Sequence, residues 1–252
     1  MTAAILRVNP VAKIAVGLVV AAVLVLTLDW VSGAVALVLE AALFPLAGVP
    51  WRTFWVRTAP VWIAAPVVTV TIALYGKASG HSYFHWLFVD VTSGSLVLAI
   101  ATGIRVLAVA LPAVVLFITI DPTDLADGLA QVLRLPPRFV LGSLAAVRLV
   151  GLFFDDWRSL ELARRARGVG DRNPIARFLG QLFALLVLSI RRGSKLATAM
   201  EARGFGSSTT RTWARESRFG WREWTLVLIG AAVAGVAAAA SILSGHWNFI
   251  GS

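Results

Sequence analysis

Long apolar runs separated by short polar breaks fill the first half of the chain, and the pattern returns only near its end. A helix needs roughly 20 apolar residues to cross a hydrocarbon core of about 30 Å. Five stretches meet or approach that length: Val11–Leu28, Val31–Gly48, Thr58–Tyr75, Gly94–Ile120 and Trp224–Leu243. Only Asp29 and Trp30 separate the first two, which therefore read as an antiparallel hairpin. In the third, Pro60 falls in the first turn, where its missing N–H costs little, and Pro66 is expected to kink the helix. The fifth is Ala-rich and flanked by Trp221, Trp224 and Trp247, as an aromatic belt at a membrane boundary would be.

The centre of the chain has a different pattern. Asp121-Pro122-Thr123-Asp124 predicts a helix start, with Asp121 as N-cap and Pro122 at the first helical position. Leu125, Leu129, Val132 and Leu133 give that helix one apolar face, and Leu135-Pro136-Pro137 stops it. Residues 139–154 and 175–190 are apolar but short for a span, and they read as helices along the cytoplasmic face of the membrane. The expected fold is an all-α polytopic membrane protein with about five spans. Residues 1–120 form the N-terminal membrane helices, 121–223 a cytoplasmic or interfacial domain, and 224–252 a last membrane helix with its tail.

Composition supports this reading. The 252 residues are 58% hydrophobic and 14% charged, where a soluble domain carries about a quarter charged. Their mean hydropathy is +0.81. The net charge is +10, and 17 of the 23 Lys and Arg residues lie between Asp121 and Glu223, with 10 of the 13 acids. Placing the N-terminus inside makes Arg7, Lys13, Arg52, Arg57 and the whole basic centre cytoplasmic. Lys77 is left outside with Asp29 and Asp90, as the positive-inside rule asks, and the C-terminus falls outside. The pI of about 11.4 is then a topology signal rather than a nucleic-acid footprint. The first apolar run lacks a small-residue cleavage site and leads straight into a second span, so no cleaved signal peptide is expected. With no cysteine, disulfides, thiolate metal sites and thiol nucleophiles are excluded.

One short pattern occurs twice. Ala166-Arg167-Gly168 closes a helical stretch containing Ala163 and Arg164, and Ala202-Arg203-Gly204 closes one containing Ala199 and Glu201. Glycine suits the left-handed position that follows a helix, and an arginine in the last turn is favoured by the helix dipole. Ala163, Ala166, Gly193, Ala197, Ala199 and Ala202 leave narrow faces that another surface can approach closely. Each helix end offers a guanidinium able to hold a carboxylate bidentately. A single copy is ordinary capping; the shared Ala-x-x-Ala-Arg-Gly frame, repeated between membrane helices, points to a docking device.

With these motifs the chain resembles the transmembrane T components of energy-coupling factor (ECF) transporters, the family that includes the cobalt subunit CbiQ and the biotin subunit BioN. Further similar segments stand in order: Pro10-Val11-Ala12-Lys13 before the first span, Arg105 in the fourth, Thr119-Ile120-Asp121-Pro122, Leu135-Pro136-Pro137-Arg138-Phe139 and Ala146-Val147-Arg148-Leu149-Val150. The likeness covers residues 5–244. Arg164 departs from the family's usual Gln, and Gly151 from its Pro. The resemblance implies a coupling subunit in a bacterial or archaeal cell membrane. Its two helix tips would seat in grooves of two ABC-type ATPases, and its membrane part would hold a substrate-binding S component for vitamin or metal-ion uptake. Ala166, Arg167, Gly168, Ala202, Arg203 and Gly204 would make the ATPase contact, supported by Ala163, Arg164, Ala199 and Glu201. Gly76-Lys77 is followed by Ala78, so no phosphate-binding Gly-Lys-Ser/Thr loop is present, and ATP hydrolysis is expected in the partners.

Other candidate chemistry is weaker. His81 and His85 stand four apart near Asp90, a poor ligand set that reads as a polar outer loop. Glu40 and Arg105 fall within spans, where ionisable groups are functional candidates and tend to pair; a structural ion pair, or one group reaching to the interface, is the expected reading. Asp155 and Asp156 are adjacent and point apart on a helix, a poor acid–base pair. Arg211, Arg215, Arg218 and Arg222, with Trp213 and Trp221, are placed to meet anionic headgroups rather than nucleic acid. No catalytic residue, metal site or cofactor is expected. A secondary transporter working alone and a membrane-embedded enzyme of lipid metabolism are the alternative functions.

Overall fold

The computed structural model describes residues 8–27, 29–76, 79–86, 89–168, 173–205 and 212–245, without the side chains of 84–86, 89 and 90. The helices are α1 (Pro10–Val25), α2 (Trp30–Leu43), α3 (Trp51–Tyr75), α4 (Ser93–Ile118), α5 (Pro122–Gln131), α6 (Pro137–Ala166), α7 (Pro174–Ala202) and α8 (Trp221–Leu243). A one-turn 3₁₀ segment, Phe44–Ala47, extends α2. An antiparallel ribbon of β1 (Ser82–Trp86) and β2 (Val89–Thr92) lies between α3 and α4. The chain forms two compact units, Met1–Gly128 with Ser217–Ser252, and Leu129–Glu216.

The first unit is a membrane bundle. α4 packs against α1, α2 and α3, and α8 packs against α1 and α2. Its core is small and aliphatic: Val16, Val20 and Leu24 of α1 meet Ala36, Ala108, Leu116, Ala234 and Ala237. Alanine on three of the four helices lets the backbones approach closely, the usual means of packing where lipid removes the hydrophobic drive. Gly230 carries this furthest, because a Cβ there would stand 2.7 Å from Val16 Cγ1.

Caps fix where these helices begin. The Asn9 side chain accepts from the Val11 N–H to start α1, and Asp29 accepts from the Ser32 N–H at 2.6 Å to start α2. Thr92 and Ser95 close a reciprocal capping box on α4. Asp121 Oδ1 accepts from the Thr123 N–H at 2.7 Å, the N-cap expected from the sequence.

Three boundaries differ from expectation. α1 has 16 residues, about 24 Å at 1.5 Å per residue, and is shorter than the predicted span. It stops because Thr27, Asp29 and Ser32 take the chain into a buried turn, with the Thr27 and Ser32 hydroxyls 3.1 Å apart. α3 begins at Trp51 rather than Thr58, so Pro60 lies in the helix interior together with Pro66. His85 is in a strand, opposite Asp90 in the ribbon register, so His81 and His85 do not share a helix face. The side chains of His85 and Asp90 lie outside the described residues.

In the second unit, α6 and α7 are single helices of 30 and 29 residues. They correct the expectation of short apolar segments. The apolar stretches occupy only the N-terminal half of each helix, which then runs on through polar turns to the Arg-Gly ends. Among the described residues, six helices (α2 with its 3₁₀ turn, α3, α4, α6, α7 and α8) are long and apolar enough to cross a membrane. The protein is an all-α polytopic membrane protein apart from the small ribbon. On α6 and α7 a broad apolar surface is uncovered, with Phe139, Phe154, Ile175 and Phe183 each about 70% exposed.

Candidate functional site: two arginine-capped helix ends

α6 and α7 end in the same way. Arg167 is the C-cap of α6 with φ −88° and ψ 4°, and Arg203 is the C-cap of α7 with φ −89° and ψ 9°. Gly168 and Gly204 follow at φ +68° and +75°, the left-handed region that a Cβ disfavours. On α7 the Phe205 N–H donates to the Met200 carbonyl and the Gly204 N–H to the Glu201 carbonyl, both at 2.9 Å. That pair of bonds is a complete Schellman cap. On α6 the Gly168 N–H donates to the Arg165 carbonyl at 3.0 Å, the corresponding inner bond.

Arg167 and Arg203 are therefore held at the backbone, and their side chains extend outward. Both are exposed, and neither guanidinium has a hydrogen-bond or ionic partner among the described residues. Ala163, Ala166, Ala199, Glu201 and Ala202 are exposed too, so the narrow faces above the tips are uncovered. Nothing stands within 4 Å of where a Cβ on Gly193 would be. Each tip can accept a carboxylate without first breaking an internal bond.

Arg164 does different work. Its Nη1 donates to the Arg177 carbonyl at 3.2 Å, and its guanidinium lies against Gly180, where an added Cβ would come within 3.0 Å of Nη2. Arg192 holds Asp156 bidentately at 2.6 and 3.2 Å, and Trp157 packs on Phe178 with ring centroids 5.6 Å apart. These contacts join α6 to α7 behind the tips. The reading of Asp155 and Asp156 as separate groups holds, since Asp155 is exposed, but the Asp156–Arg192 pair had no signal in local spacing. The Arg165–Glu161 pair at 2.6 Å is an ordinary i, i+4 contact.

The ionisable groups of the first unit form no Glu40–Arg105 pair. Arg105 Nη2 instead donates to the Asp29 carbonyl at 3.4 Å, reaching along α4 to the α1–α2 turn. Burial works to raise the Asp29 carboxyl. Hydrogen bonds from the Ser32 hydroxyl and amide, together with the Ser241 and Thr27 hydroxyls, outweigh it and hold the group below the ordinary carboxylate range. Glu40 is buried, and neither carboxylate oxygen has a hydrogen-bond partner among the described residues. Two further buried groups lie at the start of the bundle. Lys13 Nζ donates to the Thr119 carbonyl at 2.8 Å. The Asn9 N–H donates to Glu223 Oε1 at 3.2 Å, and its side-chain amide donates to Ser217 Oγ at 2.8 Å. Arg222 lies over the Trp221 ring at 6.0 Å, whereas Arg211 falls outside the described residues. No cluster of three or more His, Asp and Glu side chains occurs among the described residues.

The described residues thus form a polytopic helical membrane protein with two arginine-capped helix ends. Comparison narrows this: a family described as cobalt transport protein, CbiQ, matches residues 2–212, and the chain belongs to that family. It is similar to the energy-coupling factor transporter transmembrane proteins EcfT of Limosilactobacillus fermentum (28% identical, covering 72% of this chain and 71% of the relative) and Lactococcus lactis subsp. cremoris (28%, covering 88% of each). The same protein of Lacticaseibacillus paracasei is 26% identical over 89% of this chain and 91% of its own length. The chain is thus a membrane transport component of the energy-coupling factor type.

Proposed function

We propose that this protein is the coupling subunit between two partner ABC-type ATPases and a membrane-embedded S component that captures a vitamin or metal ion. The observation that carries this reading is the pair of arginines without a partner among the described residues, each on a glycine-terminated helix end with an uncovered small-residue face. A guanidinium presented by a fixed C-cap transmits a push along its helix, because the cap bonds hold it to the last turn. Residues 121–223 form the coupling domain, and Arg167 and Arg203 seat in the two ATPases. Arg164, Asp156 and Arg192 brace α6 against α7, so that displacement of one tip is felt by the other helix. The exposed apolar surfaces of α6 and α7 suit contact with lipid and the S component. Hydrolysis belongs to the ATPases, and the substrate is chosen by the S component.

The distribution of basic residues supports a cell-membrane location with the N-terminus cytoplasmic and the C-terminus outside. Membership in a transport family favours this reading over a lipid-metabolising enzyme or a lone secondary transporter.

The test is replacement of Arg167 and Arg203 together by Glu. The variant is expected to insert normally but to lose co-purification with the ATPases in mild detergent, and to lose uptake. Unchanged ATPase recovery and uptake would refute the coupling role.

A further inference from the structure

Glu40, in the third turn of α2, is 4% exposed, and both carboxylate oxygens lack a hydrogen-bond donor. It borders a half-open cavity of about 90 Å³ lined by α1, α2, α4 and α8. The walls include Val16, Val20, Leu116, Ile229, Gly230 and Val233, and no other lining residue is ionisable. The cations carried by the packed helices are engaged elsewhere. Lys13 of α1 is bound to the Thr119 carbonyl, Arg105 of α4 to the Asp29 carbonyl, and Arg222 of α8 lies over Trp221.

A carboxylate removed from water is costly unless a donor or cation meets it, and ionisable groups inside a membrane mark binding sites or ion paths. Three occupants are possible for such a space. A buried water needs two to four polar partners, and this cavity offers one side chain. A divalent cation needs several oxygen or nitrogen ligands, and again there is one. An apolar cavity of about 150 Å³ takes a benzene ring, so this smaller one accommodates about three or four heavy atoms, with the far end of a short stem in its open mouth. The remaining requirement is a single positive donor at the end of that stem.

We infer that the Glu40 cavity is an intramembrane site for a primary ammonium group carried on a short apolar stem. The Glu40 carboxylate binds the ammonium, and the aliphatic walls of α1, α4 and α8 hold the stem. A soluble alkylamine and the amino headgroup of a lipid share this chemistry. The site lies wholly in the first unit and does not depend on the coupling role of Arg167 and Arg203.

The experiment uses the full chain in phosphatidylcholine nanodiscs, with n-butylammonium as probe and n-butanol as the uncharged control, followed by saturation-transfer NMR. Saturable binding of n-butylammonium is expected, weakened at least tenfold in Glu40→Gln and, by filling the cavity, in Val233→Phe. n-Butanol is expected to bind at least tenfold more weakly. Adding phosphatidylethanolamine weakens the apparent butylammonium affinity if the lipid amine is the resident ligand, and leaves it unchanged if a soluble amine is. Equal binding by wild type and Glu40→Gln, equal binding of n-butanol, or no binding with Glu40 a neutral acid by infrared difference spectroscopy would each overturn the inference. Helicity and thermal melting of both variants establish that a loss of binding is not a loss of fold.

Discussion

Lys13 Nζ donates to the carbonyl oxygen of Thr119 at 2.8 Å, so a side chain in the first turn of α1 caps the last turn of α4. The carbonyls at a helix C-terminus have no partner within the helix and carry its negative dipole end, which makes a buried ammonium a matched ligand. Lys13 is 1% exposed, and its stem fills space between the two helices as well. Lys13→Met keeps most of the stem and removes the donor, at an expected cost of about 1–3 kcal/mol for a buried, charge-assisted bond. Lys13→Ala should cost more, since it also leaves a gap. Thermal unfolding followed by circular dichroism in detergent ranks the three proteins; equal stability of Lys13→Met and wild type would remove the cap from the account.

A second tie lies beside it. Asn9 caps α1 with its side chain while its N–H donates to Glu223, whose other oxygen accepts from the Gly220 N–H at 2.8 Å to cap α8. The starts of two helices from opposite ends of the sequence are thus tied to each other. Asn9→Ala leaves the N–H but removes the side chain that orients it, and Glu223→Ala removes its acceptor, so the two are expected to be non-additive, with a coupling of about 0.5–3 kcal/mol in a double-mutant cycle on unfolding. Additive losses would mean that the two caps act independently.

These two ties also show what could be read from the chain and what could not. The N-cap at Asp121, the stop before Pro136 and the left-handed glycines at 168 and 204 follow from rules that act over four or five residues. The N-cap and the glycines appear where the sequence placed them, but α5 already ends at Gln131 and leaves Val132 and Leu133 outside the helix. Lys13 was visible only as a family-like residue, and its partner lies 106 positions away. Arg105 was visible as an intramembrane charge, but its reach to Asp29 depends on where the α1–α2 turn falls against α4. Local spacing favoured Glu40 as its partner because depth cannot be judged without that register. Likewise the full length of α6 and α7 was hidden, because their polar ends carry helix propensity but no apolar signal. Arg164 looked like part of the first tip, and only the packing of α7 reveals that Gly180 makes room for it.

The Asp29 carboxyl gives the bundle an acid sensitivity of defined sign. Its folded value lies below that of an ordinary carboxylate, which is about 4. The stabilisation is therefore fully present above about pH 4–5 and is lost as pH falls through the lower folded value, because the unfolded chain takes up the proton first. Asp29→Asn retains a good N-cap for α2 and removes the titration. Melting temperatures measured from pH 3 to 7 should fall at the acid end for wild type more steeply than for Asp29→Asn. Parallel curves would assign the acid loss to other carboxylates.

The glycines that end α6 and α7 test whether tip geometry, and not charge alone, carries coupling. At φ +75° an alanine in place of Gly204 meets the left-handed penalty of about 1 kcal/mol, enough to favour unwinding of the last turn over keeping the Schellman bonds. Arg203 would keep its charge but lose its fixed direction. Gly204→Ala is therefore expected to weaken ATPase co-purification severalfold with little change in total helicity, and Gly168→Ala to behave likewise at φ +68°. Gly142→Ala is the internal control. It lies inside α6, far from the small-residue faces above the tips, with open space around its Cβ position, and alanine there raises helix propensity by about 1 kcal/mol. It should stabilise the helix and leave both tips intact. If Gly204→Ala and Gly142→Ala recover the ATPases equally well, the guanidinium acts as a mobile charge and the rigid-tip mechanism fails.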